Sequence, residues 1–158
     1  MDEYLRTSFE GLDREYKDGD IVDRMMPDLS HSRTQIRSGA FFRALEQDFP
    51  LFACTELRLR VGPCRVLIPD VCVFSPALPS EQVPATPPLI VLEILSPEDR
   101  LSDVRAKLEE YRQWGVAHVW LADPHGRRLY ECDPGFREVT FFRLAEFGLE
   151  IKPNDIFD

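Results

Sequence analysis

Positive charge is scarce in this chain. Its 158 residues include 19 lysines and arginines against 28 aspartates and glutamates, which gives a formal net charge of −9 at pH 7. Proteins that bind nucleic acids by charge alone neutralise phosphates with a basic surface, so this composition argues against that generic mode of binding. It remains compatible with an enzyme that meets DNA through one local patch.

Long apolar runs and patterned cysteines are also missing. No stretch approaches the ~20 apolar residues of a membrane-spanning helix, and residues 1–6 contain no apolar signal segment. The four cysteines form no CxxC pair and no zinc-finger spacing. We therefore expect a cytoplasmic protein with no membrane partner and with reduced, mostly packed thiols.

Turn signals and hydrophobic periodicity predict one α/β (α+β) domain over residues 1–158, with its core at about 10–157. Asp18-Gly19 marks a hairpin, and the residues around Glu93 form an apolar strand. Gly115 ends a helix that starts at Ser96-Pro97. The other predicted segments are a helix (30–47), strands (51–61, 65–74, 117–122, 128–132, 138–143) and a mobile proline-rich loop (75–88).

Two carboxylates lie on neighbouring apolar runs. Asp70 follows Pro69 inside the run 65–74, and Glu93 interrupts the apolar run 89–95. A buried charge costs several kcal/mol unless it is paired, protonated or bound to a metal. A divalent cation would compensate both residues at once, although a strand-end turn at Asp70 and an ion pair at Glu93 are the structural alternatives.

The carboxylates of Asp70 and Glu93 are ligands that suit magnesium. Mg²⁺ prefers hard oxygen ligands and is often held by one or two carboxylates plus water. Asp70 and Glu93 would supply the carboxylates, and the backbone carbonyl of Ile94 would supply a third oxygen. Such an ion activates water and stabilises a leaving oxygen in phosphoester hydrolysis.

One lysine stands close enough along the chain to complete this site. Lys107 lies on the helix after the Glu93 strand, and Asp103, four residues earlier, is predicted to pair with it. A positioned ammonium would stabilise a phosphoryl transition state. A solvent-exposed Lys107 is the alternative.

These residues resemble the PD-(D/E)XK nuclease superfamily, and more closely its bacterial Uma family of restriction-endonuclease-like proteins. The resemblance spans about residues 10–157. The matching positions are Pro69-Asp70, Leu92-Glu93-Ile94-Leu95-Ser96-Pro97, Asp103, Lys107, Tyr111, Gly115-Val116, Trp120, Asp123-Pro124, Asp18-Gly19 and His31.

The resemblance implies a mixed β-sheet flanked by helices, Mg²⁺- or Mn²⁺-dependent cleavage of DNA, and a homodimer. The superfamily lysine normally stands two residues after the glutamate, where this chain has Leu95, so its role passes to Lys107. Asp70 and Glu93 would bind the metal. His31 at the cleft and Glu56 are candidates for supporting roles near it, although an exposed strand position is the favoured explanation of Glu56.

Three alternatives stay open at the level of the sequence. Arg58, Arg60, Arg100 and Arg105 are candidate phosphate contacts, but solvated faces explain them as well. The fold could serve as a catalytically inactive protein-interaction module, which the acidity and the missing strand lysine favour. The substrate could also be RNA or a nucleotide instead of DNA.

Overall fold

A computed structural model describes residues 1–132 and 135–158. The helices are α1 (Asp2–Leu5), α2 (Leu29–Leu45), α3 (Leu101–Trp114) and α4 (Pro153–Ile156). The strands are β1 (Glu15–Lys17), β2 (Asp20–Val22), β3 (Phe52–Thr55), β4 (Leu59–Gly62), β5 (Arg65–Leu67), β6 (Val71–Phe74), β7 (Ile90–Ile94), β8 (His118–Asp123), β9 (Arg128–Cys132), β10 (Phe136–Val139), β11 (Phe142–Leu144) and β12 (Leu149–Ile151).

The strands form a central mixed sheet and two smaller antiparallel ones. The central sheet has the order β10-β9-β8-β7-β6-β3, in which only β7 and β8 run parallel. A four-stranded sheet has the order β2-β1-β5-β4, and β11 pairs with β12. The predicted mixed sheet flanked by helices is confirmed.

Strands β6 and β7 of the central sheet are buried throughout, and their residues alternate between two cores. Val71, Val73 and Leu92 belong to the core beneath α2, together with Phe42. The intervening residues of β6 and β7 face the second core, which contains the buried side chains of α3. This alternation follows from the two-residue period of a strand. It aims every second residue of β6 and β7 at α3.

Two predicted turns have the expected backbone conformation. Asp18 and Gly19 both have positive φ, 53° and 105°, as a two-residue hairpin between β1 and β2 favours. Gly115 caps α3 in the left-handed conformation with φ 109°, and its N–H is donated to the carbonyl of Arg112. No helix in the described part of the chain is long and apolar enough to cross a membrane.

Several predicted boundaries are wrong. The strand predicted over 51–61 is divided at Glu56, whose φ of 54° takes the backbone out of the extended region. The strand predicted over 65–74 is divided before Asp70, since Pro69 offers no N–H to a ladder. Helix α3 starts at Leu101 instead of Ser96-Pro97, and the strand predicted over 138–143 is two strands of different sheets.

Candidate active site

Strand register brings the two predicted carboxylates together. Val71 of β6 pairs with Leu92 of β7 in antiparallel register. Asp70 precedes Val71 and Glu93 follows Leu92, so the two acids stand opposite each other at one end of the strand pair. Both side chains are buried, with residues 4% and 8% exposed.

Hydrogen bonds fix the Asp70 carboxylate at both oxygens. Oδ2 accepts the backbone N–H of Ile94 at 2.7 Å and contacts Nε2 of His31 at 3.2 Å. Oδ1 accepts a bond from Nη2 of Arg24 at 3.2 Å. His31 is placed by α2, whose first turn is capped by Asp28. Asp70 is therefore held by groups from three separate parts of the chain.

Glu93 and Lys107 form a buried ion pair. The Lys107 ammonium lies 2.9 Å from Oε1 of Glu93 and 2.8 Å from Oε1 of Glu15, and it donates to the carbonyl oxygen of Ile68 at 2.9 Å. These three partners match the three donors of an ammonium group. The hydroxyl of Tyr111 also donates to Oε1 of Glu93, at 3.1 Å. Among the described residues, hydrogen bonds reach Glu93 only through Oε1.

Helical spacing explains why Lys107 faces inward. It lies three residues after Val104 and four before Tyr111, on the side of α3 that packs against the sheet. The predicted pair between Asp103 and Lys107 is wrong. Within the described residues the ammonium pairs with Glu15 and Glu93, while Asp103 is exposed at the start of the helix.

Burial and neighbouring charges push the pKa values of this cluster apart. Burial raises the pKa of Glu93 to about 7, with the Asp70 charge adding to the rise and Lys107 opposing it. Burial also acts to raise the pKa of Asp70, but the hydrogen bond and charge of His31 hold it below its usual range. The pKa of Lys107 is raised, because the charges of Glu93, Glu15 and Asp70 outweigh burial.

A second cation contacts Asp70 from the segment that joins β2 to α2. Arg24 bridges Asp70 and Glu56, and its side chain is only 11% exposed. Glu56 Oε1 accepts a bond from Nε2 of Gln35 at 2.7 Å, and the same nitrogen donates to the backbone carbonyl of Asp70 at 3.1 Å. Glu56 is thus a partner of Arg24 in a bend of the chain, not an exposed strand residue.

A cavity of about 610 Å³ opens onto these groups. Asp70, Glu93, Lys107, His31 and Arg24 all line it. Its rim is acidic, with the exposed side chains of Asp23, Glu98 and Asp103 against that of Arg100.

The other candidate phosphate contacts lie elsewhere. Arg58 is held by Asp13 and by carbonyls of the N-terminal segment. Arg105 lies over the ring of Phe136. Of the four arginines singled out in the sequence, the described lining of the cavity includes only Arg100.

Sequence reasoning missed two members of the cluster. Glu15 is buried and accepts the N–H of Ile68 at 3.1 Å, although its strand reads as exposed. Its position depends on the pairing of β1 with β5, which joins residues about fifty positions apart and leaves no local signal. Arg24 likewise follows a short strand with no pattern that predicts burial.

The oxygen donors of the cluster suit a hard cation. Two carboxylates and a nearby backbone carbonyl are what Mg²⁺ or Mn²⁺ accepts, with water completing the coordination. Within the described residues, no three His, Cys, Asp or Glu side chains are grouped as a metal site. A metal here would therefore rely on few protein ligands.

Comparison with known proteins identifies the family. The family model described as "Uma2: Putative restriction endonuclease" matches residues 1–155. The chain belongs to the Uma2 family. No curated protein of known function matches this Uma2 chain significantly.

At least one solved structure matches the Uma2 chain over nearly its whole length. It is the crystal structure of a putative nuclease belonging to DUF820 from Anabaena variabilis, with a TM-score of 0.84 and 22% sequence identity. The match covers 98% of this chain and 95% of the other. It shows a shared fold, and the family description supports a nuclease-like function.

Proposed function

We propose that this Uma2 protein is a Mg²⁺- or Mn²⁺-dependent endonuclease that hydrolyses phosphodiester bonds of DNA. The observation that carries the proposal is the convergence of Asp70, Glu93 and Lys107 on one cavity. Asp70 directly precedes β6, Glu93 lies on β7 and Lys107 lies on α3. Burying charged groups together is costly, and such clusters in a cavity are typical of functional sites.

The oxygens that would hold the metal belong to Asp70, Glu93 and Ile94. Glu93 keeps Oε2 free of hydrogen bonds from the described residues. Leu95 donates its N–H to Ala122 on β8, whereas Ile94 donates to Asp70. Since backbone groups alternate along a strand, the carbonyl of Ile94 faces the Asp70 side. When bound, the ion would act as a Lewis acid and activate water.

The remaining residues orient these ligands and supply positive charge. His31 and the N–H of Ile94 fix the Asp70 carboxylate, and Tyr111 fixes that of Glu93. Lys107 places its ammonium beside Glu93, where negative charge builds up on a phosphoryl group during hydrolysis. Asp103 at the mouth of the cavity has no direct part in this arrangement.

A catalytically inactive protein-interaction module is the second candidate function. The acidic rim of Asp23, Glu98 and Asp103 repels phosphates, and the net charge of −9 adds to that repulsion. A module of this kind would keep the fold and bind neither metal nor nucleic acid. RNA or a nucleotide is the alternative substrate to DNA.

Cleavage of supercoiled plasmid in the presence of Mn²⁺ or Mg²⁺ tests the proposal. We expect nicking by the native chain, with at least ~100-fold loss in Asp70→Asn, Glu93→Gln and Lys107→Ala, as expected for groups that stabilise the transition state. Glu81→Gln is the matched control, since Glu81 is exposed and outside the cavity. Nicking that survives Asp70→Asn, or no metal-dependent nicking at all, contradicts the proposal.

Two further assays define the substrate and the assembly. Single-stranded DNA and RNA, offered under the same conditions, distinguish an RNA- or nucleotide-specific enzyme from an endodeoxyribonuclease. We also propose a homodimer, since two active sites would then meet two strands. Exposed apolar side chains at Met26 (74%) and Leu29 (79%) are available for such contact. Light scattering at micromolar concentration measures the assembly.

A further inference from the structure

Two cations contact the carboxylates of the proposed metal site, and they are held in different ways. All three ammonium donors of Lys107 are in use, by Glu15, Glu93 and the carbonyl of Ile68. Arg24 reaches Asp70 through a single nitrogen at 3.2 Å. Lys107 is therefore fixed, whereas Arg24 can leave Asp70 by giving up one bond.

We infer that Arg24 is the counter-cation of the metal-free site, which a divalent metal displaces from Asp70 and which Glu56 then retains. This inference rests on the proposed metal site. It assigns to Arg24 a role in setting metal affinity, distinct from any contact with the substrate.

The hydrogen bonds of Asp70 show why metal and arginine compete. Oδ2 already accepts bonds from Ile94 and His31, which use both of its lone pairs. Oδ1 is the remaining oxygen, and the guanidinium of Arg24 lies against it. A dication bound at Oδ1 would stand within about 5 Å of this guanidinium, where two positive centres repel strongly in a buried site.

Glu56 can remain the ion-pair partner of the displaced guanidinium. Arg24 already contacts Oε2 of Glu56 through its other terminal nitrogen. The opposite oxygen of Glu56 is held by Gln35 at 2.7 Å, and Gln35 contacts the backbone carbonyl of Asp70 and not its carboxylate. The guanidinium can therefore rotate away from Asp70 without losing its second partner, and the positive charge stays paired.

The backbone around Arg24 permits this movement. Residues 23–28 belong to no helix or strand, and the neighbouring side chains of Met25 and Met26 are exposed. No sheet ladder fixes this segment, in contrast to the strands that carry Glu15 and Glu93.

Mn²⁺ titration of the purified chain, followed by the electron paramagnetic resonance of the free ion, tests the inference without relying on activity. We expect Arg24→Met to bind Mn²⁺ about tenfold more tightly than the native chain, because it removes the competing cation. Arg100→Met is the matched control: it removes the same charge from the rim of the same cavity and touches no Asp70 oxygen in the described structure. We expect its affinity to change less than about twofold.

Glu56 provides a second variant that separates retention of Arg24 from a simple effect of charge. Glu56→Gln should weaken Mn²⁺ binding about threefold in the native background and leave it unchanged in Arg24→Met, because Glu56 acts through Arg24. An equal loss in both backgrounds would mean that Glu56 acts on the metal directly, and this would overturn its assigned role.

Different outcomes would overturn the inference and the proposed function. Mn²⁺ binding that Asp70→Asn abolishes but Arg24→Met leaves unchanged or weakens overturns the inference alone. Absence of Mn²⁺ binding in the native chain and in Arg24→Met overturns the metal site and the inference together. If Arg24→Met does not fold, a crystal structure of the native chain with Mn²⁺ decides. The inference requires Nη2 of Arg24 to lie beyond 4 Å from Oδ1 of Asp70, with the Glu56 contact kept.

Discussion

Replacing Lys107 by methionine would remove a cation that Glu15 and Glu93 share. Both carboxylates are buried, and both lie within 3 Å of the ammonium. Loss of one partner from a buried ion pair costs about 3–5 kcal/mol, since the remaining charge has no compensation. Set against a total stability of about 5–15 kcal/mol, this loss should be plain in urea denaturation followed by circular dichroism.

The loss should depend on pH with a definite sign. The pKa of Glu93 is raised to about 7 even with Lys107 present, and it should rise further without the ammonium. An unfolded glutamate titrates near 4.3, so between roughly pH 4.5 and 7 the folded variant binds more protons than the unfolded one. Its free energy of unfolding therefore falls as pH rises. The native chain shares this fall up to about pH 7, because its own Glu93 pKa is raised to about 7, so the deficit of Lys107→Met relative to the native chain should be smallest below pH 7 and grow above it.

Two controls test the electrostatic origin of this effect. The double variant Lys107→Met with Glu93→Gln should recover at least about 1 kcal/mol, because one uncompensated charge is gone. Arg100→Met, which removes an exposed cation near the start of α3, should change stability by less than about 0.5 kcal/mol. A Lys107→Met variant within 1 kcal/mol of the native chain at pH 8, with no pH dependence, would refute this account of the site.

Two other predictions concern His31 and Gly115. Asp70→Asn should lower the pKa of His31 in an NMR titration, since burial lowers this pKa and the Asp70 contact raises it. The raised pKa of His31 stabilises the folded chain below about pH 6.5, and this stabilisation is lost as pH rises through the folded pKa. Asp70→Asn should reduce it. Gly115→Ala should lower stability by about 1–2 kcal/mol in thermal unfolding, because a φ of 109° is strained for a residue with a Cβ. The new Cβ itself would meet only an ordinary 3.6 Å contact, so the loss comes from the backbone conformation. Gly39→Ala, inside α2 with a similar contact at 3.5 Å, should not destabilise the chain.

Local patterns predicted most elements of this fold because their causes are local. The hairpin at Asp18-Gly19 and the cap at Gly115 both follow from residues that tolerate positive φ. Boundaries failed where tertiary contacts set them. Glu56 leaves the strand conformation at a point where Gln35 and Arg24 hold its side chain, and neither partner is near it in sequence.

The candidate site divides in the same way. Asp70 and Glu93 stand out because a charge inside an apolar strand run demands compensation, and this is visible in the chain itself. The predicted partner of Lys107, Asp103, was wrong. The choice between it and the carboxylates of Glu15 and Glu93 depends on which side chains the folded sheets bring to α3. Helical spacing from Val104 and Tyr111 would have indicated that Lys107 faces the core.

Alternation and turn chemistry act between residues close in the chain, so they predict an α+β chain with two buried acids on neighbouring apolar runs. That Arg24 and Glu15 join these acids follows from the folded arrangement. Those contacts depend on strand pairings and loop positions that connect distant segments, and no short-range preference encodes them. The charge balance of the site is therefore a property of the fold as a whole.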